Sequence, residues 1–385
     1  MKRVREVFLG VLSSAQRSLR FLFYNGLNKL ILIFIFCSTL LSAQFKQDTS
    51  RNVNYLILPA VFRTPETGWG YGASTSLTCK TSHKNDSLTR TSSITALAVF
   101  TERGQNIQAV DANVFFSKEK YILYFDAAHS YFPENFWVLG LQTKDNWSER
   151  YVSDQFNFSA HLKKHLFKRV FLGLMYDYQN VFKLNYIKGG IFDTTSFSGK
   201  TPYVVSGGGF SASYDSRNKA FWPTKGFLLS TTYNSYEKNF GSSYNFSKWI
   251  VDVRFFQQLF FKHILAVQFY NYSTFGQSPM KNLARLGGAD NLRGFYQGRL
   301  RDKNMASFIL EYRAPVFWRF SLVAFGGIGN VYSEKNPLLN NEFRYSFGGG
   351  IRLNVMQKDY LNLRIDYGYY SKYNSGFYFT IGESF

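Results

Sequence analysis

"EFRYSFGGGIRLNV", Glu342 to Val355, is the stretch on which the fold turns. Its even positions, Glu342, Arg344, Ser346, Gly348, Gly350, Arg352 and Asn354, are polar or small. Its odd positions, Phe343, Tyr345, Phe347, Gly349, Ile351, Leu353 and Val355, are apolar apart from one glycine. A period of two is that of a β-strand whose two faces look into different surroundings. "LNLRIDYGYY", Leu361 to Tyr370, repeats it, with Asn362, Arg364, Asp366 and Gly368 against Leu361, Leu363, Ile365, Tyr367 and Tyr369. In "NFSKWIVDVRFF", Asn245 to Phe256, Lys248, Asp252 and Arg254 oppose Trp249, Val251, Val253 and Phe255, and Ile250 breaks the polar face.

Outward from these three stretches, the same alternation runs through the chain from residue 54 in segments of about ten residues divided by turns, with almost no helical periodicity. Strands of a soluble sandwich average about 5–6 residues, and their polar face meets bulk water. Longer strands with aromatic ends fit an all-β, transmembrane antiparallel β-barrel, polar inside and apolar toward lipid. A bilayer offers no water to an open sheet edge, so the strands must close into a ring. About sixteen segments are present, from 54–64 to 374–385; the fifth is expected at 119–130, the sixth at 151–164, and the eleventh and twelfth at 264–274 and 303–314. The even count suits a bacterial outer-membrane barrel.

Export is implied by "LILIFIFCSTLL", Leu30 to Leu41, which follows Lys29 and precedes "LSAQ". A run of twelve residues is too short to cross a hydrocarbon core of about 30 Å as a helix, but it suits the core of a signal peptide. The expected organisation is a signal peptide at 1–43, a short periplasmic segment at 44–53 and a barrel at 54–385. Cys37 leaves with the signal, and Cys79 alone can form no internal disulfide and no cysteine metal cluster. Periplasmic turns of such barrels are short and outside loops long. With both termini periplasmic, the connections at 131–150, 184–202, 275–302 and 332–340 fall outside, and "HLFK", "FFKH", "PVFW" and "MQKD" inside.

Catalytic patterns are weak. His83, His129, His161, His165 and His263 are scattered without metal-ligand spacing, and "GGGIRL" and "FGGIGN" lack the form of a phosphate loop. The formal charge of +20 forms no nucleic-acid-binding stripe, because Lys and Arg alternate with aromatics on opposite strand faces. A basic lumen or attraction to anionic lipid headgroups is the expected use. No enzyme, cofactor, metal or nucleic acid is expected.

"LGGADNLRGFYQGRLRD", Leu286 to Asp302, stands apart. Loops beyond about 12–15 residues are usually functional or disordered. Gly287, Gly288, Gly294 and Gly298 permit tight turns, and Phe295 and Tyr296 beside Arg293 supply apolar surface that a solvated loop does not need. "LRGF", Leu292 to Phe295, with the following "FILEYR", resembles the signature of the BamA/TamA superfamily, which includes two-partner secretion transporters and bacterial surface antigens. "YDSRNKAFWPTKG", Tyr214 to Gly226, is similar to that family's turn between strands eight and nine. Phe377, Phe379, Ile381 and Phe385, at alternate positions with Glu383 interrupting, look like the C-terminal recognition signal of outer-membrane proteins.

The resemblance implies a barrel of sixteen strands whose loop between strands eleven and twelve, here 275–302, folds into the lumen. Arg293, Gly294 and Phe295 would form a latch there, held by acidic residues of the wall. Glu311 matches one acidic position of the family, and Asp366 is a possible second contact. The family's other acidic position aligns with Gly327 in "FGGIG", so one usual contact is absent. BamA-like members carry N-terminal POTRA domains, for which residues 44–53 leave no room. The implied function is assembly, insertion or translocation of outer-membrane proteins, with outer-membrane lipid, unfolded clients and periplasmic or outer-membrane assembly proteins as partners. The alternative is a passive pore or structural surface antigen.

Overall fold

The computed structural model describes residues 53–385 except 80–88, 90–91, 142–146, 220, 335–336, 339–342, 357–360 and 372–373. The signal peptide, nearly all of the 44–53 segment and the connection after Cys79 therefore lie outside the described residues.

Among the described residues, eighteen strands are present. They are β1 (Val53–Thr64), β2 (Gly68–Cys79), β3 (Ser92–Thr101), β4 (Asn106–Phe115), β5 (Tyr121–Phe136), β6 (Glu149–Phe167), β7 (Val170–Asn185), β8 (Tyr203–Asp215), β9 (Gly226–Tyr236), β10 (Phe246–Gln258), β11 (Ile264–Gly276), β12 (Ala284–Leu286), β13 (Leu300–Asp302), β14 (Asn304–Phe317), β15 (Phe320–Tyr332), β16 (Arg344–Met356), β17 (Leu361–Ser371) and β18 (Asn374–Ile381). Sixteen of them close into an antiparallel barrel in chain order, and β12 and β13 form a separate small hairpin between β11 and β14.

The alternation that marks the strands also sorts their faces. Along β16, Tyr345 and Phe347 are 59% and 54% exposed while Ser346 and Arg352 are buried. Along β17, Tyr367 is exposed while Asn362, Arg364 and Asp366 are buried. The exposed face is therefore aromatic and aliphatic, and the buried face carries the charges. A ring of sixteen strands brings β18 back beside β1, so their junction is the one place where an edge meets an edge, as satisfying backbone groups in lipid requires.

Strand ends depart from expectation on one side. β5 runs to Phe136 rather than 130, and β6 starts at Glu149 rather than 151, so this hairpin rises above its neighbours. The extension carries polar residues that alternation alone reads as loop; Glu134 is buried there because Lys281 comes within 2.5 Å of it. Between β7 and β8 sits one four-residue helix, α1 (Ile191–Thr194), whose Phe192 N–H donates to Glu149 Oε2 at 3.1 Å. Several connections at the opposite end are tight, such as the two residues Lys168 and Arg169 between β6 and β7, while ten residues separate β8 from β9.

One junction is unlike the rest. Among the described residues, β1 aligns with β18 at a single pair, Arg63 opposite Phe379. Other neighbouring strands of the barrel align over eight to sixteen residues. Side chains span the gap as well: the Arg63 guanidinium lies 5.4 Å from the Phe377 ring of β18, and the Trp69 ring of β2 lies 6.1 Å from that of Phe379.

The last residues correct a detail of the sequence reading. Alternation puts Phe385 on the same face as Phe377, Phe379 and Ile381, yet Ile381 is exposed and Phe385 buried. β18 ends at Ile381, and Gly382, with φ +90°, turns the chain off the strand. Phe385 then packs with Phe256, Ala266 and Ile309, on the buried side of the wall.

Candidate functional site

The segment between β11 and β14 folds around its own apolar residues. Ala284, Leu286, Leu292, Phe295 and Leu300 pack with Met305 of β14 and Val331 of β15. The β12–β13 hairpin brings the two ends of the segment together, so residues 287–299 leave and return at one place. Glycine is required at its tip for two reasons. Gly294 has φ +107°, a region that side-chain-bearing residues rarely adopt, and it lies against Gly368 of β17 with no side chain between the two backbones.

This geometry presents Arg293 to the charged face of the wall. Its Nη1 donates to Asp366 Oδ2 at 2.6 Å and its Nη2 to Glu311 Oε2 at 2.6 Å. Its Cζ lies 3.5 Å from the centre of the Phe325 ring, so carboxylates meet its edge and an aromatic face covers its plane. All three charged side chains are shut off from solvent. Burial alone would weaken the arginine's hold on its proton, but the Glu311 and Asp366 carboxylates outweigh it and raise the pKa. Charge-assisted bonds of this kind contribute about 1.5–3 kcal/mol each.

The rest of the tip is held as well. Gly294 N–H donates to Tyr378 Oη at 2.9 Å, and the Phe295 ring lies 4.1 Å from that of Tyr370. Gln297 N–H donates to Glu66 Oε1 at 2.6 Å, which joins the segment to the β1–β2 turn. On the far side, Lys281 and Arg301 converge on Glu134 at 2.5 and 3.7 Å.

The two carboxylates serve more than one arginine. Arg313 Nε donates to Glu311 Oε1 at 2.7 Å, and Arg313 Nη2 to the main-chain oxygen of Phe385 at 3.2 Å. Arg352 donates to Asp366 Oδ1 at 2.5 Å and to Glu383 Oε2 at 2.8 Å. Arg364 Nε lies 3.7 Å from Asp366, while its Nη2 reaches Asp290 at 3.2 Å. Contacts thus run in a circuit from Phe385 through Arg313, Glu311, Arg293, Asp366 and Arg352 to Glu383, two residues from where it began. A buried charge without a partner is costly, and here Glu311 and Asp366 are each shared between guanidinium groups.

Arg293, Gly294, Phe295, Glu311 and Asp366 therefore come together in space. Phe377, Phe379 and Ile381 lie apart from them on the outer side of β18, and Phe385 joins the circuit through its backbone. At Gly327, a Cβ would meet Leu292 Cδ1 at 2.9 Å, so the space of the missing acidic side chain is filled by the residue preceding Arg293. The sequence reading missed Tyr378, Gly368, Arg313 and Arg352 as members of the site. Arg352 and Gly368 stood on the polar faces of their segments, and that was the available signal. Nothing local marked Tyr378, which sits among outward aromatics.

A closed barrel with a lipid-compatible exterior and a buried charge network tied to a long segment after β11 defines an integral barrel of the outer-membrane type. Residues 67–385 match the Omp85 superfamily domain, and the chain belongs to the Omp85 superfamily. The likeness to BamA and TamA read from "LRGF" agrees with that membership, and a barrel of the Omp85 superfamily is an outer-membrane protein of Gram-negative bacteria. Among solved structures, it is similar to BamA from Haemophilus ducreyi lacking POTRA domains 1–3, at 15% identity and a TM-score of 0.57, covering 86% of this chain and 70% of that one. It is also similar to CdiB from Acinetobacter baumannii, at 14% identity and TM-score 0.57, covering 86% of this chain and 60% of that one. For CdiB from Escherichia coli the values are 11% and 0.56, with 86% and 63% covered. The chain thus spans less than two thirds of either CdiB. No protein of curated function matches it.

Proposed function

We propose that this barrel takes part in inserting, assembling or translocating outer-membrane proteins, and that it does so by opening between β1 and β18. The observation that carries the reading is the seam itself, where one aligned pair, Arg63 and Phe379, stands in place of a full ladder. Backbone groups left unpaired at a strand edge are a template for another strand, so a seam that parts offers a client strand somewhere to pair. Arg293, Gly294 and Phe295 act as the latch of a lumenal plug, and Glu311 and Asp366 are its anchors. Both termini face the periplasm in this reading, where unfolded clients and assembly partners arrive. The outward residues Phe377, Phe379 and Ile381, with Phe385, serve as the signal by which the barrel is itself recognised for insertion.

The test is depletion of the protein followed by an inventory of the outer membrane. Loss of several other barrels, or of one exported client, supports the reading. An unchanged inventory removes it.

A further inference from the structure

The outer wall on β2 to β6 carries a site that the seam and the latch do not use. Along most of the barrel the lipid-facing positions are large, as at Leu174, Phe210, Tyr345 and Phe308, all more than 40% exposed. Here they are small. Ala73, Ala96, Ala98 and Ala127 share the outward face with Val110 and Phe156 and line a shallow depression of about 530 Å³. Ala73 pairs with Ala98, Ala98 with Gln108, Gln108 with His129 and His129 with Phe156, so these residues form one rung across five strands.

That rung is polar in its middle. His129 Nδ1 lies 3.0 Å from Gln108 Oε1, and its Nε2 lies 2.8 Å from Asp154 Oδ1. The His129 and Asp154 side chains are 45% and 31% exposed, on a face otherwise covered by apolar groups. Polar and ionisable groups facing lipid are costly and mark functional sites. The next rung toward the barrel end with the long connections holds Tyr71, Phe100, Asn106, Tyr131, Asp154 and Lys183 in register. Exposed Tyr71, Phe100 and Tyr131 are the aromatic belt expected at a headgroup layer. Beyond the belt, Arg150 Nη2 of β6 donates to the carbonyl of Arg103 in the β3–β4 turn at 2.6 Å, which gathers two exposed arginines at one place. Arg103, Arg150 and Lys183 outnumber Asp154 and Glu102 around this spot.

We propose that this face binds one phosphate-bearing lipid. Its acyl chain lies in the alanine depression, its glycerol region meets the Gln108–His129–Asp154 group, and its phosphate meets Arg103 and Arg150. The order of the three zones, apolar, polar and cationic along the barrel axis, is the order of groups in such a lipid. The charge of the rim selects an anionic head, and the small side chains select a chain that must fit between larger neighbours.

Native mass spectrometry of the full chain in detergent, titrated with phosphatidylglycerol or with diacylglycerol of the same chains, tests it. The wild type should retain one phosphatidylglycerol. A98L/A127L, which fills the depression with apolar groups that lipid tolerates, should reduce retention of both lipids about tenfold, equivalent to about 1.4 kcal/mol. R103Q/R150Q should reduce retention of phosphatidylglycerol alone. Heat-shifted migration in gels establishes that each variant is folded, and the arginine pair, being solvent-exposed, carries the test should the filled variant not fold. Undiminished phosphatidylglycerol retention in R103Q/R150Q, or in a folded A98L/A127L, overturns the proposal. Loss of a co-purifying protein from the filled variant with lipid retention unchanged also overturns it and makes the face a protein interface.

Discussion

Gly294 and Gly368 meet backbone against backbone: a Cβ built on Gly368 would lie 2.6 Å from the Arg293 carbonyl carbon, and one built on Gly294 would lie 3.1 Å from the Gly368 carbonyl carbon. The first contact is with backbone, so it cannot be relieved by a side-chain rotation. The placement of Arg293 between Glu311 and Asp366 depends on this approach, because the same peptide carries both the glycine contact and the arginine.

Gly368→Ala should therefore push the tip off the wall while leaving the strand alternation intact. Overpacking of this kind costs about 1–3 kcal/mol. Limited proteolysis of the folded barrel reads the outcome, with faster cleavage within 287–299 expected. A cleavage rate equal to wild type would show that the segment is held by its apolar cluster and not by the glycine contact.

Glu311→Gln removes the acid shared by Arg293 and Arg313. Breaking a buried ion pair from one side typically costs about 3–5 kcal/mol, because the remaining charge stays buried. Weaker protection of the segment from external protease is the expected result. Combining it with Arg313→Gln should recover part of the loss, since Arg293 keeps Asp366 while Arg313 has Glu311 as its carboxylate, and two neutral groups then replace an unpaired ion; strictly additive effects of the two substitutions would mean that the pair is not coupled.

Deleting the tip should change conductance if the segment plugs the barrel. In planar bilayers the wild type is expected to stay mostly closed and a variant lacking 289–297 to open steadily. A wild-type channel that already conducts as much as the deletion would favour a passive pore.

A disulfide between Arg63→Cys and Phe379→Cys should fasten the seam, since directly opposed residues of antiparallel strands place their Cα atoms about 4.5–5.5 Å apart, within bridging range. Cells relying on the oxidised variant should lose the same outer-membrane proteins as depleted cells, and reductant should restore them. Normal function with the bridge quantitatively formed would locate the passage elsewhere.

Phe385→Ala should destabilise the folded barrel by about 3–5 kcal/mol, the usual cost of truncating a buried phenylalanine. The change would appear as a lower denaturant midpoint for loss of heat-shifted migration. A midpoint identical to wild type would mean that Phe385 matters for recognition alone.

The barrel was legible in the sequence because lipid and lumen impose opposite chemistry on successive residues, as Tyr345 and Ser346 show. The extension of β5 to Phe136 was not, because Glu134 reads as a loop residue until Lys281 and Arg301, far along the chain, arrive beside it. Alternation likewise misplaced Phe385, since one glycine at 382 turns the chain away from the strand. Arg293, Glu311 and Asp366 could be named from a motif and a polar face. Their sharing of Arg313 and Arg352 could not, because a register between strands decides which charges meet.

The arginine circuit is closed to water, whereas Arg103 and Arg150 are exposed. Mobile ions screen exposed charges within about 8 Å at physiological ionic strength and reach sealed pairs far less. Raising the salt concentration should thus loosen whatever gathers on the outer arginines while leaving the segment around Arg293 where it is, so ionic strength alone can address the two regions separately in one unmodified protein.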